Sequence, residues 1–265
     1  MTSLTQNRRL VKRRLDHLLW HSQTERSEAL RHTLRQHFAS FENIAIVGGM
    51  VRDVARQGSA NFWSDVDIVI DAPADEVANL AQRLSASPNR FGGFGANTPG
   101  WKVDFWALET TWALKAGHAS INTLEDVTKA TFFNTDSAIY NIWNRTIHCS
   151  DGYFELLTQN SIEINLEPNP SPIGNLLRAL RRLNAWKARP GEKLINFIAQ
   201  HLTDETLAEM KRIEDRIYKV SYLNEFSRAS ELEYRILIDN YCEYAPLSHP
   251  RQRDFSHFWA PPSHR

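Results

Sequence analysis

Three aspartates stand where their chemistry could be shared. Asp65 and Asp67 alternate with apolar residues in Ser64-Asp65-Val66-Asp67-Ile68-Val69-Ile70-Asp71, and in a strand residues i and i+2 point to the same face. Two carboxylates that close repel, and a divalent cation such as Mg²⁺ is the usual remedy; a solvated strand end is the plainer alternative. Asp104 lies in Trp101-Lys102-Val103-Asp104-Phe105-Trp106-Ala107-Leu108, an apolar run in which an unpaired buried charge is expensive. It must face a metal, a cation or water, or else form a salt bridge to a neighbouring Lys or Arg. In a two-metal arrangement Asp65 and Asp67 would bridge both ions. Asp104 would hold the ion that lowers the pKa of an attacking hydroxyl, and the other ion would neutralise a triphosphate and its leaving pyrophosphate.

Upstream, Ile44-Ala45-Ile46-Val47-Gly48-Gly49-Met50-Val51-Arg52-Asp53 reads as a buried strand, a glycine turn and a helix start with a cation in its first turn. Glycine lets backbone N–H groups approach phosphate oxygens, and a helix N-terminus favours anions. A plain tight turn is the alternative for Gly48-Gly49 alone. A phosphate cradle and a Mg²⁺ site within one unit nevertheless make chemical sense together.

The elements that must position these residues follow from periodicity. Val11, Leu15, Leu18 and Leu19, then Leu30, Leu34 and Phe38, predict two N-terminal helices over 1–40. From 41 to 168 short β-rich runs (Ile44 to Val47, Val66 to Ile70, Lys102 to Leu108, Ala138 to Ile142, Thr146 to Cys149) alternate with glycine turns and helical stretches, an α/β (α+β) arrangement with a mixed sheet. Phe91-Gly92-Gly93-Phe94-Gly95 reads as a turn or mobile loop. After Pro168-Asn169-Pro170 the pattern is helical from 169 to 247, and 248–265 is an aperiodic tail.

Lys+Arg and Asp+Glu number 31 each, so no overall basic footprint marks a non-specific nucleic-acid binder. The basic start lacks an apolar stretch behind it, no run of about eighteen apolar residues occurs, and Cys149 and Cys242 have no CxxC spacing. These features point to a soluble cytoplasmic protein with free thiols and no membrane partner. His17 and His21, one helical turn apart, lack a third ligand and read as surface or packing residues. Arg8, Arg9, Lys12, Arg13 and Arg14 read as a solvated helix face. A second basic cluster, Arg178, Arg181, Arg182, Lys187 and Arg189, falls on the helix after 169 and is balanced between a solvated face and substrate binding. Trp63, Trp101, Trp106 and Trp186 read as core rather than base-stacking platforms.

The order Gly48-Gly49-Met50-Val51-Arg52-Asp53, then Asp65-Val66-Asp67-Ile68, resembles the polymerase-β-type nucleotidyltransferases, most closely the head of class II CCA-adding tRNA nucleotidyltransferases and bacterial poly(A) polymerases. Looser matches are Thr135-Asp136-Ser137-Ala138, where that family has Thr-x-Asn-Ala, and Asn175-Leu176-Leu177-Arg178-Ala179-Leu180-Arg181-Arg182, similar to its neck helix. The resemblance implies a nucleotidyltransferase head and a helical neck with the active site in the cleft between them. It also implies metal binding by Asp65 and Asp67, and nucleotide contacts from Gly49, Arg52 and Arg178, with Gly48 in the same turn. Thr131-Phe132-Phe133 stands where the family carries Arg-Arg-Asp, Ser137 replaces an Asn, and the base-selecting neck residues have no counterpart. The chain also stops short of the family's helical body and tail. The expectation is Mg²⁺-dependent transfer of NMP from an NTP to a hydroxyl, with RNA, such as a tRNA 3′ end, as the acceptor. A protein or small-molecule acceptor, nucleotide-signal synthesis, or an inactive nucleotide- or RNA-binding module are the alternatives.

Overall fold

The computed structural model describes residues 7–58, 62 and 64–242; Trp63 and the expected 248–265 tail lie outside the described residues. Seven strands form a mixed sheet: β1 (Ile44–Val47), β2 (Val66–Ile70), β3 (Ser87–Pro88), β4 (Phe94–Thr98), β5 (Trp101–Ala107), β6 (Ala138–Asn141) and β7 (Thr146–Cys149), in the order β3-β4-β5-β2-β1-β6-β7. Only β2 and β5 run parallel; the other neighbours are antiparallel.

Strict alternation assigns the faces. Val66, Ile68 and Ile70 of β2, and Val103, Phe105 and Ala107 of β5, enter one core with α1 (Arg8–Asp16), α2 (Glu25–His37), α3 (Gly49–Gln57) and α4 (Ala74–Arg83). Val69 and Trp106 face the other way, under Ile121, Leu124 and Val127. That second cover is the segment after β5, made of short 3-10 turns at Leu108–Thr110 and Glu125–Ala130 and of α5 (Trp112–Lys115). The sequence pattern predicts no element there. The Phe91–Gly95 patch also differs from expectation: Phe94 and Gly95 begin β4 and pair with Phe105 and Asp104.

The N-terminal helices are tied down by polar contacts as well as by packing. A π-helical turn, His17–His21, continues α1 and brings Trp20 Nε1 within 3.2 Å of the Tyr140 hydroxyl, which donates to Asp16 at 2.6 Å. Arg14 donates to the Val54 and Ala55 carbonyls in the last turn of α3, a favourable place for a cation.

After α6 (Tyr153–Thr158), the strands β8 (Ser161–Ile162) and β9 (Arg189–Pro190) pair in parallel on either side of α7 (Pro172–Trp186). Pro172 opens α7, where its missing N–H is harmless. Helices α8 (Glu192–His201), α9 (Asp204–Ile217) and α10 (Ala229–Cys242) complete a second core around Leu176, Leu180, Leu183, Ile198 and Met210. Phe133, Ile162 and Ile164, from before residue 169, belong to that core. Among the described residues no helix is long and apolar enough to cross a membrane.

Phe105 joins three elements, meeting Phe38 of α2 edge-on at 5.7 Å and Phe94 of β4 at 5.9 Å. Phe105→Ala is expected to destabilise the fold by about 3–5 kcal/mol in urea unfolding; a loss below about 1 kcal/mol would contradict this packing.

Candidate active site

The sheet register builds the site. The β1–β2 pairing sets Val47 opposite Asp67, so the Gly48-Gly49 turn leaves the sheet at the Asp67 end. The parallel β2–β5 pairing sets Asp67 beside Asp104. Asp65 lies one residue before β2 rather than within it. All three carboxylates emerge where the cover of the second face runs out. Asp104 is packed so closely over the neighbouring strand that a Cβ on Gly95 would lie 2.7 Å from its Oδ1.

Burial, then the charges of Asp104 and Asp65, push the Asp67 carboxyl up to about 7. Lys102, one alternation before Asp104, supplies the local counter-charge: its Nζ lies 2.9 Å from Asp65 Oδ2 and 3.1 Å from Asp104 Oδ2. Among the described residues, no three His, Cys, Asp or Glu side chains converge tightly enough to hold an ion as they stand. The donor set is nonetheless that of a hard divalent cation: carboxylate oxygens on one face, one of them destabilised by its neighbours.

Gly48 adopts φ 69° and ψ −115°, which an L side chain resists. No side chain caps α3, so the N–H groups of its first turn are left for an anion. This turn, Ser64 and Asp67 form one wall of a cleft of about 610 Å³ whose other wall is α7, with Arg178, Arg181, Arg182 and Trp186.

Of the cleft's arginines, three are committed. Arg52 pairs with Asp53 at 2.7 Å and with Asp136 at 2.5 Å, and Arg182 donates to the other oxygen of Asp136 at 2.8 Å. Arg181 is held by the buried Glu214, which also accepts from the Tyr222 and Leu223 amides. Arg178, which reaches only its own helix's Gly174 carbonyl, has no carboxylate partner among the described residues. Arg52, expected to contact nucleotide, is thus engaged chiefly in joining α3 to α7. Lys187 and Arg189 do not line the cleft.

Aromatic residues fill the place of expected charge. Phe132 and Phe133 meet edge-on at 4.7 Å, and the Arg182 guanidinium lies 4.5 Å from the Phe133 ring centre. Trp101 is buried as expected, stacked on Phe62. Trp106 and Trp186 pack, partly buried, against the two cores as expected and also line the cleft. Arg56 lies 4.0 Å from the Trp186 ring centre, and burial, then the charge of Arg52, lowers it to about 10. The salt bridge given as the alternative for Asp104 is present, with Lys102 as its partner; the sequence singled out neither Lys102 by position nor the bridging role of Asp136, although period-2 alternation from Asp104 was the available signal for Lys102.

Burial alone would raise Asp136, yet Arg182 and Arg52 outweigh it and hold the carboxyl at about 2. The folded value lies below the ordinary one of 3.8, so this stabilisation is full above about pH 4 and is lost as pH falls toward about 2. Asp136→Asn should therefore destabilise by on the order of 3 kcal/mol at neutral pH, because it takes the carboxylate from Arg182 and leaves Arg52 with Asp53 alone. Urea unfolding across pH should show a shallower acid loss in the variant; identical acid sensitivity would contradict the bridge.

No protein-family profile matches the chain, and no curated protein matches it. Among solved structures it is similar to a CCA-adding enzyme in complex with ATP (16% identity, TM-score 0.49, 76% of this chain and 50% of that one). It is also similar to a tRNA-processing enzyme with CTP (22% identity, TM-score 0.48, 75% and 54%). A third likeness is the Thermotoga maritima CCA-adding enzyme complexed with tRNA (17% identity, TM-score 0.45, 65% and 43%). The chain spans about half the length of these proteins.

Proposed function

We propose that this protein is a Mg²⁺-dependent nucleotidyltransferase that moves NMP from an NTP to a hydroxyl acceptor, with an RNA 3′ end as the acceptor and the cytoplasm as its setting. The observation that carries this reading is the register that sets Asp67 beside Asp104 and opposite the last strand residue before an uncapped glycine turn, with Asp65 two residues ahead of Asp67.

Asp65, Asp67 and Asp104 would hold the divalent cations, which supply a lowered pKa at the acceptor hydroxyl and charge neutralisation at the triphosphate. The chain's own groups do the rest. The first-turn N–H groups of α3 receive phosphate oxygens, and Arg178 offers a guanidinium not committed to another carboxylate. The acceptor oxygen bonds to the α-phosphorus as the bond from that phosphorus to the β-phosphate bridge breaks, and pyrophosphate leaves. Phe132 and Trp106 limit water on the cleft's apolar side. The RNA acceptor rests on the sequence resemblance; equal totals of 31 acidic and 31 basic residues favour a second reading, transfer to a protein or small molecule.

Incubation with labelled NTPs, Mg²⁺ and total RNA should place label in RNA, and an Asp65→Ala, Asp67→Ala double variant should lose about 10³-fold or more. Label on protein or in a free product would select the second reading. NTP binding without labelling would indicate a non-catalytic module, and activity that survives loss of both aspartates would overturn the metal site. Gly95→Ala should keep the fold but displace Asp104, lowering kcat by about 100-fold; wild-type kcat would show that Asp104 need not lie where it does.

A further inference from the structure

The alternation of β5 puts Lys102 on the same face as Asp104, and the β2–β5 register continues one residue back to set Lys102 beside Asp65. Its ammonium bonds one oxygen of each carboxylate, at 2.9 and 3.1 Å. These are the two acids that flank Asp67, so the positive charge sits where a shared cation would be most stabilised. An ammonium and a divalent cation cannot both occupy that place, because like charges a few ångströms apart repel strongly at the edge of a low-dielectric cleft. The Lys102 side chain is 49% exposed, and its flexible stem can carry the charge into water at little cost.

We propose that Lys102 is a resident counter-ion: it neutralises the carboxylates while no divalent cation is bound, and it must be displaced for one to bind. Lys102 thereby sets the divalent-cation concentration at which the site loads. The inference rests on the reading of Asp65, Asp67 and Asp104 as a metal seat. It adds that this chain carries its own competitor, and that stability without metal and affinity for metal are traded against each other through one side chain.

The test uses the full chain and Mn²⁺ alone, with no nucleotide. Lys102→Met should bind Mn²⁺ on the order of tenfold more tightly by calorimetry or by the Mn²⁺ paramagnetic resonance signal. In chelator its melting temperature should fall by about 2–4 °C. Lys102→Arg, which keeps the charge, should stay close to wild type in both. Where Met at 102 does not fold, Lys102→Gln gives the same comparison with a polar head. Wild type that binds Mn²⁺ with all Lys102 variants alike overturns this inference and leaves the metal seat standing. Wild type that binds no Mn²⁺, indistinguishable from Asp67→Asn, overturns both.

Discussion

Repulsion among three carboxylates is the constraint to which much of this molecule answers. The register of three strands forces Asp65, Asp67 and Asp104 together, and an apolar sheet face with nothing to offset them would tolerate the cluster poorly. The surroundings can be understood as responses. The cover of the second face stops short of the acids. Gly95 gives up its side chain so that Asp104 can lie across β4. Lys102 reaches back along its own strand with a positive charge that both Asp65 and Asp104 accept. Burial raises Asp67 all the same, with Asp104 and Asp65 adding to the shift and Lys102 only partly opposing it.

Charge is balanced differently on the opposite wall. There Arg178, Arg181 and Arg182 line α7, and Asp136 joins the two walls by accepting from Arg182 of α7 and from Arg52 of α3 at once. A carboxylate shared between two helices from different parts of the chain fixes their relative position more firmly than apolar packing would, because its hydrogen bonds are directional. The glycine turn at the start of α3 and the arginines of α7 are thereby held in one frame. Arg52 and Arg182 are the pins of that frame and Arg181 is held by Glu214, which leaves Arg178 as the more available guanidinium.

Local periodicity was enough to find what local periodicity encodes. Asp65 and Asp67 declare a shared face through spacing of two, and the turn at Gly48-Gly49 declares itself through composition. Three features lay beyond its reach, for three physical reasons. The strand β4 hides in a glycine-rich patch because Gly95 is there to accommodate a side chain on a neighbouring strand, a demand invisible within its own window. The segment after β5 is built of 3-10 turns, which carry no extended apolar repeat. The Asp136 bridge joins residues 84 and 46 positions apart, and no spacing rule reaches that far. Trp186 resembles any core tryptophan on a helix face; only the meeting of α7 with α3 turns it toward the cleft.

Equal numbers of acidic and basic residues, read as a bulk property, argue against a large electrostatic footprint at long range. Neutrality of the whole nevertheless hides local separation: Asp65, Asp67 and Asp104 lie at one end of the sheet, and Arg178, Arg181 and Arg182 lie along α7. Screening confines both fields to roughly 8–10 Å at physiological salt, a distance comparable to the width of a cleft. Under the proposed function, a polyphosphate entering between the walls would meet arginine on one side and, on the other, acids that could accept it only through shared cations. Such a ligand would be held by that local alternation of sign rather than by attraction from afar, so the absence of net charge does not by itself argue against a highly charged substrate.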